Sequence, residues 1–147
     1  MIYNINGNIL NCKQKYVIHQ VNCQGNMGAG LAKQLANKYP EIIKPYKDTC
    51  LKNLQSKLLG EVLKTKTKDG KIILNIFGQG YYGAGSKQTN YNALINGLTK
   101  IFLNANGDVA IPYKMGCGLA GGNWTKVYKI IEILAEDFKY NIYIYKI

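Results

Sequence analysis

The chain has 147 residues and is 47% hydrophobic, which is enough for the core of one domain. It lacks both an apolar run that spans a bilayer and the basic-then-apolar start of a signal peptide. These features argue against a membrane-spanning helix and against export, and they favour a soluble, intracellular protein. They predict a single domain over residues 1–147, monomeric and cytoplasmic, with no membrane partner.

The cysteine spacing argues against a metal site. Cys12, Cys23, Cys50 and Cys117 are widely separated, and the chain has one histidine. A structural zinc site needs clustered cysteine and histidine ligands. The sequence therefore predicts four free thiols, no bound metal and no cofactor.

The formal net charge is +11, and all nineteen basic residues are lysines. Strong positive charge is typical of proteins that bind nucleic acid. Without arginine, however, the chain lacks the side chain that contacts guanine through two hydrogen bonds, and its lysines are spread along the sequence. A functional basic face and general solvation with a biased composition both remain open.

The first part of the chain alternates between strand and helix patterns. Residues 1–5 and 16–21 are rich in β-branched and aromatic side chains, which predicts two strands. Apolar residues four positions apart predict a helix from Leu31 to Tyr39. After the prolines that interrupt this pattern, a second helix is predicted to end at about Gln55.

The middle of the chain predicts a hairpin and a helix. Residues 61–67 and 71–77 read as strands, and the Asp69-Gly70 pair between them is a strong hairpin signal. The next helix is predicted from about Asn90 to Leu103, with Thr89 as its N-cap.

The last part predicts a strand at Asp108–Ile111, a helix at Trp124–Phe138 capped by Asn123, and a strand at 141–147. The series thus contains six strands and about four helices. Such alternation predicts the α/β class, with helices on both faces of a mixed, mostly parallel sheet that includes one antiparallel hairpin.

Three glycine-rich segments, residues 22–30, 78–88 and 112–122, directly follow predicted strands. In a largely parallel sheet the carboxyl ends of the strands form the ligand-binding edge. Glycine lets backbone N–H groups approach an anion, and a helix that begins after the loop adds a favourable dipole. A single such loop is more often a tight turn, but three at one edge favour a nucleotide site.

Familiar phosphate motifs do not match these segments. Residues 78–83 and 116–121 both contain the string G-x-G-x-x-G, but neither lies in a first β-α-β unit with an acidic residue about twenty positions later. Cys117 resembles the nucleophile of a cysteine phosphatase, because it lies in a glycine-rich loop. Such an enzyme, however, uses an arginine to hold the phosphate, and this chain has none. Cys117 is therefore interpreted as a small residue that fits a tight loop.

Short segments along nearly the whole chain resemble the macrodomain family. Their order and spacing are most similar to its small stand-alone members, which include phage and bacterial proteins, the yeast ADP-ribose 1''-phosphate phosphatase and the terminal ADP-ribose glycohydrolases. The segments are Gly7–Ile9 (GNI), His19–Asn22 (HQVN), Met27–Ala32 (MGAGLA), Asn75–Gln79 (NIFGQ) and Pro112–Trp124 (PYKMGCGLAGGNW).

The resemblance implies a three-layer α/β/α sandwich around a six-stranded sheet, with ADP-ribose across its carboxyl edge. Asn8 takes the place of the aspartate that receives the adenine amino group, and its carbonyl accepts that bond without charge. Asn22 matches the asparagine near the distal ribose. The other implied ligand contacts are Ile9 beside the adenine, Gly28, Ala29, Gly30 and Leu31 in the first diphosphate loop, and Met115, Gly116, Cys117, Gly118, Leu119 and Ala120 in the second.

Candidate catalytic groups are few. All eight carboxylates lie outside the three glycine-rich segments, although hydrolysis usually needs a positioned base. The lysine and aspartate of the terminal glycohydrolase branch correspond here to Gly78 or Gln79 and to Ala120. His19, Asn22 and Gln79 are the candidates to orient water and hold a terminal phosphate. A lone histidine on a central strand is, however, more often a packing residue.

Three functions follow from these patterns. The first is an enzyme that removes phosphate from ADP-ribose 1''-phosphate, or ADP-ribose from a modified macromolecule. The second, favoured by the missing carboxylates, is a module that binds an ADP-ribose-type nucleotide without turnover. The third is a basic nucleic-acid binder. Tyr82, like Tyr81 and Tyr113, is predicted either to stack on a ribose or adenine or to pack within its loop.

Overall fold

The computed structural model describes residues 1–83 and 87–147. The strands are β1 (Ile2–Asn6), β2 (Tyr16–Asn22), β3 (Val62–Lys66), β4 (Ile72–Gln79), β5 (Val109–Pro112) and β6 (Ile142–Lys146). The helices are α1 (Gly30–Lys38), α2 (Ile43–Lys52), α3 (Gln55–Leu58), α4 (Tyr91–Asn104) and α5 (Trp124–Asp137), with 3-10 turns at Ile9–Asn11 and Pro40–Ile42.

The six strands form one sheet in the order β1-β6-β5-β2-β4-β3. The pairs β1–β6, β5–β6, β2–β5 and β2–β4 are parallel. β3 runs antiparallel to β4 because a tight turn at Gly70, with a φ of +88°, joins the two strands. The predicted mixed, mostly parallel sheet is confirmed.

Helices cover both faces of this sheet, as predicted. Alternate side chains of a strand point to opposite faces. On β2, Ile18 packs with the apolar residues of α4 and α5, whereas Val17 and Val21 pack with those of α1 and α2. None of the helices in the described ranges has the length and apolar character needed to cross a membrane.

The predicted second helix is wrong in its extent. α2 ends at Lys52, where Asn53 has an extended backbone (φ −131°), and a separate short helix follows. Pro45 does not interrupt α2, because it lies in the first turn, where an N–H has no partner within the helix.

One predicted helix cap is also wrong. α4 is capped by Asn90, whose side chain accepts a hydrogen bond from the N–H of Ala93. The Thr89 hydroxyl instead donates to the Gly116 carbonyl in another loop. The predicted cap of α5, Asn123, is confirmed.

Candidate functional site

The glycine-rich segments leave the carboxyl ends of three adjacent strands, β5, β2 and β4. We name them the β2–α1 loop (residues 23–29), the β4–α4 loop (residues 80–90) and the β5–α5 loop (residues 113–123). Residues 84–86 of the predicted glycine-rich segment lie outside the described residues. The topology therefore brings the three segments to one edge of the sheet.

A single buried side chain, Asn22, organises the β2–α1 loop. Its Oδ1 accepts hydrogen bonds from the N–H of Gln24 (2.9 Å) and from the Tyr46 hydroxyl (2.8 Å), and its Nδ2 donates to the Asn26 carbonyl (2.7 Å). Burial raises the pKa of Tyr46, so its hydroxyl keeps the proton that it donates. Asn22 thus shapes the loop from beneath, and one of its amide hydrogens is committed to that task.

The N-terminus of α1 has no side-chain cap among the described residues. Its N-cap is Ala29, and Gly30 has a φ of +57°, which glycine adopts without strain. By contrast, side chains of Asn90 and Asn123 cap α4 and α5. Because Ala29 and Gly30 are exposed, the first-turn N–H groups of α1 and the positive end of its dipole are open to an anion.

The β5–α5 loop is held by residues that precede α4. The Thr89 hydroxyl donates to the Gly116 carbonyl (2.5 Å), while the N–H groups of Gln88 (2.7 Å) and Thr89 (3.2 Å) donate to the Ala120 carbonyl. The Gly122 N–H also donates to the Gly116 carbonyl (2.9 Å), which closes the loop on itself. The position of this loop therefore depends on its neighbour.

Gln20 joins the loops, although the sequence pattern alone did not single it out. Its Nε2 donates to Gln79 Oε1 (2.7 Å) and to Thr89 Oγ1 (3.0 Å). A Cβ at either Gly78 or Gly116 would lie 2.6 Å from Gln20 Oε1. Gly116 needs glycine for its φ of +73° as well, whereas a larger residue at Gly78 would displace the Gln20 side chain from Gln79 and Thr89. Gly78 is one of the two positions that correspond to the lysine of the glycohydrolase branch. The available signal was a polar residue on the face of β2 that also carries the apolar Tyr16 and Ile18.

Asn8 lies at the end of β1, where the resemblance implies the adenine. Its Oδ1 accepts a hydrogen bond from the N–H of Leu10 (2.9 Å) and so caps the following 3-10 turn. A carbonyl oxygen has a second lone pair, which suits it to accept an amino group as well. The Ile9 side chain is buried, so this residue offers a ligand its backbone.

The side chain of His19 is directed at the neighbouring strand rather than at the loops. Its Nε2 lies 2.5 Å from Asn75 Oδ1, and Asn75 Nδ2 donates to the Leu63 carbonyl (3.0 Å). The Asn75 oxygen therefore faces the ring, so Nε2 carries the proton. Burial lowers the pKa of His19 to about 4, although the bond to Asn75 opposes this shift. This geometry supports the packing interpretation over a catalytic role.

Gln79 and Cys117 lie within the loop network. Gln79 accepts a hydrogen bond from Gln20 and donates to the Tyr81 carbonyl (2.7 Å). The Cys117 thiol lies 3.4 Å from the Met115 carbonyl, and burial raises its pKa, so the thiol stays protonated at neutral pH. Neither side chain provides a charged base or nucleophile.

The other predicted ligand residues divide between the floor and the rim of the loops. The buried residues form the floor. Because their side chains pack into the core, only their backbone is available to a ligand. Met115 and Ala120 are buried, Leu31 and Gly116 are half-buried, and Gly28, Ala29, Gly30, Gly118 and Leu119 are exposed.

Tyr82 faces a different space from Asn8. Together with Tyr81 and residues 24–28, it lines a cavity of about 610 Å³ on the side of the β2–α1 loop that faces α1 and α2. Tyr113 instead packs edge-on against Trp124, with 5.2 Å between the ring centroids. The described structure thus does not bring the three predicted aromatic residues together.

Residues 18–131 match the family model described as Macro domain. The chain belongs to the macrodomain family. The matched residues run from β2 into α5, so they include all three glycine-rich loops.

This macrodomain is similar to proteins of known activity. It is 29% identical to the ADP-ribose 1''-phosphate phosphatase of Saccharomyces cerevisiae, over 95% of this chain and 96% of that protein. It is 30% identical to the DNA ADP-ribosyl glycohydrolase of Mycobacterium tuberculosis, over 82% of this chain but 35% of that protein. The matched part is thus about a third of the glycohydrolase.

Among solved structures, the macrodomain of Mycobacterium tuberculosis DarG superposes with a TM-score of 0.85 and 27% sequence identity, covering 100% of this chain and 98% of that chain. This likeness confirms the predicted α/β/α macrodomain fold.

Proposed function

We propose that this macrodomain binds ADP-ribose, or ADP-ribose with a terminal phosphate, between the β2–α1 and β5–α5 loops. The observation that carries the proposal is the uncapped N-terminus of α1, with Gly30 at positive φ and exposed first-turn N–H groups. A diphosphate is the anion that such a terminus suits. All three loops come from one chain, so a monomer suffices.

The relatives support the choice of nucleotide. The yeast relative is named for ADP-ribose 1''-phosphate and the mycobacterial relative for ADP-ribosyl groups on DNA. In this chain, Asn8 offers an uncharged acceptor for the adenine amino group, and Asn22 underlies the loop beside the expected ribose. We propose that the adenine lies against Asn8 and Ile9.

Binding without rapid turnover is supported by the chemistry of the side chains near the loops. The eight carboxylates of the sequence all lie outside the glycine-rich segments. His19 is buried and neutral, and the Cys117 thiol stays protonated. General acid–base catalysis needs a group within reach of the reacting atom that titrates near neutral pH.

Phosphate removal is the second candidate function, because the likeness to the yeast phosphatase extends over 95% of the chain. In that case the amides of Asn22 and Gln79 would orient water, and the backbone at Gly116–Gly118 would hold the phosphate. Phosphate release from ADP-ribose 1''-phosphate decides between the candidates. A binding module releases no phosphate above the rate without protein.

Calorimetry with ADP-ribose tests the binding proposal, using two substitutions at the N-cap of α1. Ala29→Asp should stabilise the helix by about 0.5–1 kcal/mol but weaken ADP-ribose affinity at least about tenfold, because its carboxylate repels the diphosphate. Ala29→Asn is the matched control, since it caps the helix without charge and should lose less affinity. Absence of binding by the wild type at millimolar ligand, or equal affinity in both variants, would contradict the proposal.

A further inference from the structure

The cavity beside the β2–α1 loop is a second recess, which the proposed ADP-ribose site does not use. It has a volume of about 610 Å³, within the range of pockets that hold small ligands. Gly28 borders this recess and also belongs to the predicted diphosphate loop. The recess is therefore contiguous with the proposed nucleotide site. Besides Gly28, the lining that matters below consists of Tyr81, Tyr82, Lys33 and Lys47.

Two stacked tyrosines form one wall of the recess. The rings of Tyr81 and Tyr82 lie 4.6 Å apart at an interplanar angle of 9°, and the two residues are 54% and 42% exposed. Exposed aromatic faces of this kind are platforms for nucleobases, because every base has a π-face.

Two lysines from different helices contribute positive charge to the recess. Lys33 lies on α1 and Lys47 on α2, and neither forms an ion pair with any described residue. Ion pairs among the described residues involve three other lysines, Lys44, Lys100 and Lys129. An unpaired lysine is therefore common on this surface, and it is the placement of Lys33 and Lys47 beside the tyrosines that matters. No carboxylate is found among the described residues that line the recess. The recess therefore combines aromatic faces with uncompensated positive charge.

The Lys47 side chain is also placed by packing. A Cβ built on Gly25 would lie 3.7 Å from Lys47 Cγ, and Gly25 itself has a φ of +76°. The aliphatic stem thus lies along the loop backbone, as lysine stems do when the ammonium reaches solvent. This contact holds one positive charge at the recess without a protein anion.

We propose that this recess binds a single-stranded polynucleotide, with bases stacked on Tyr81 and Tyr82 and phosphates near Lys33 and Lys47. A phosphopeptide is less well matched, because modules for phosphorylated peptides use arginine clusters and this chain has no arginine. A duplex keeps its bases stacked on each other, so it offers no face to the tyrosines. The binding of a polynucleotide in this recess does not depend on the proposed function. A role in presenting an ADP-ribosylated polynucleotide to the neighbouring loops does rest on it.

Fluorescence anisotropy of the full chain with labelled oligothymidylate and oligouridylate of about twelve nucleotides, within the usual site size, tests this inference. Replacing both tyrosines by alanine should weaken binding about tenfold, through the loss of base stacking. The Lys33→Glu/Lys47→Glu variant should bind at least about tenfold more weakly. A plot of the logarithm of its affinity against the logarithm of the salt concentration should have a slope that is shallower by about 1.4, since two phosphate contacts are lost.

Matched controls separate the recess from general positive charge. Lys64→Glu/Lys66→Glu changes charge equally on β3, at positions paired with the N-terminal half of β4 and thus away from the loops. Tyr3→Ala removes another exposed stacked tyrosine, 4.8 Å from Tyr143. Both controls should bind like the wild type.

Three results would overturn the inference: no oligonucleotide binding at low salt, equal losses in the recess and control variants, or equally tight binding of polyglutamate. Comparison of the two oligonucleotides shows whether the strand is DNA or RNA, and binding of either supports the site. ADP-ribose calorimetry on the same samples keeps the two proposals distinct. ADP-ribose binding without strand binding leaves only the proposed function, and the reverse leaves only the recess.

Discussion

The two loops that flank the proposed nucleotide site are held in place in different ways. The β2–α1 loop is organised by the residue that precedes it, since the buried side chain of Asn22 bonds to the Gln24 N–H and to the Asn26 carbonyl within the loop. The β5–α5 loop has backbone hydrogen bonds of its own, but the side chain that holds it comes from outside, from Thr89, whose hydroxyl and N–H bond to the loop carbonyls. Both loops also contact the β4–α4 loop, the first through the N–H of Cys23 and the side chain of Gln24, which donate to the Gly80 carbonyl. The difference is that the β2–α1 loop has a buried side chain of its own as a frame, whereas the side chain that holds the β5–α5 loop belongs to Thr89.

The largest effect expected from this comparison is at Asn22. Asn22→Ala leaves the N–H groups of Gln24 and Asn26 and the Asn26 carbonyl without their side-chain partner, whereas the Tyr46 hydroxyl keeps its bond to the Asn22 carbonyl. The free energy of unfolding should therefore fall by about 2–3 kcal/mol. ADP-ribose binding should be lost as well, because the loop no longer has its frame. Urea denaturation and calorimetry measure the two effects.

Asn53→Ala is the control for this substitution. The Asn53 side chain donates to the Thr49 carbonyl at the exposed end of α2, so its loss should change the free energy of unfolding by less than about 0.5 kcal/mol. If Asn22→Ala were equally mild, the β2–α1 loop would not be organised by the Asn22 side chain.

The next effect concerns His19, on the strand that carries the β2–α1 loop. Its pKa is about 4 in the folded chain against 6.5 for an ordinary histidine, so the unfolded chain takes up a proton at higher pH than the folded chain does. Stability is therefore fully present above about pH 6.5 and is lost as the pH falls towards 4, by about 3 kcal/mol.

His19→Gln tests this pH dependence, because glutamine is polar but does not titrate. Urea denaturation between pH 7 and pH 4 should show a loss in the wild type that is larger by about 3 kcal/mol than in the variant. Parallel pH profiles would mean that His19 is already solvated or charged in the folded chain.

The smallest effect is expected at Thr89. Thr89→Val removes the hydroxyl that donates to the Gly116 carbonyl and accepts from Gln20. The free energy of unfolding should fall by about 1–2 kcal/mol, and ADP-ribose affinity should fall with it, because the β5–α5 loop loses an outside tie. Thr99→Val, which removes a hydroxyl bonded to the Ile95 carbonyl within α4, should leave ADP-ribose affinity unchanged.

Much of the fold was predictable, because its signals are local. The β-branched runs, the Asp69-Gly70 turn and the Asn123 cap each act within a few residues, and all three are present in the structure. The Thr89 cap was predicted wrongly because two adjacent residues could both cap α4. Only the contact with Gly116, twenty-seven positions away, decides between them.

By itself, the sequence determined the α/β order of elements, the glycine-rich loops and the resemblance that points to ADP-ribose. The tertiary structure decided what individual side chains do there. The side chains of Asn22 and Gln20 hold the loops through hydrogen bonds, and the His19 ring bonds to Asn75 on the neighbouring strand. The roles of Gln20 and His19 depend on β2 and β4 lying side by side in the sheet, and the spacing of residues along one chain does not contain that information. The bonds of Asn22 to Gln24 and Asn26 are local, but its burial against Tyr46 of α2 is again tertiary.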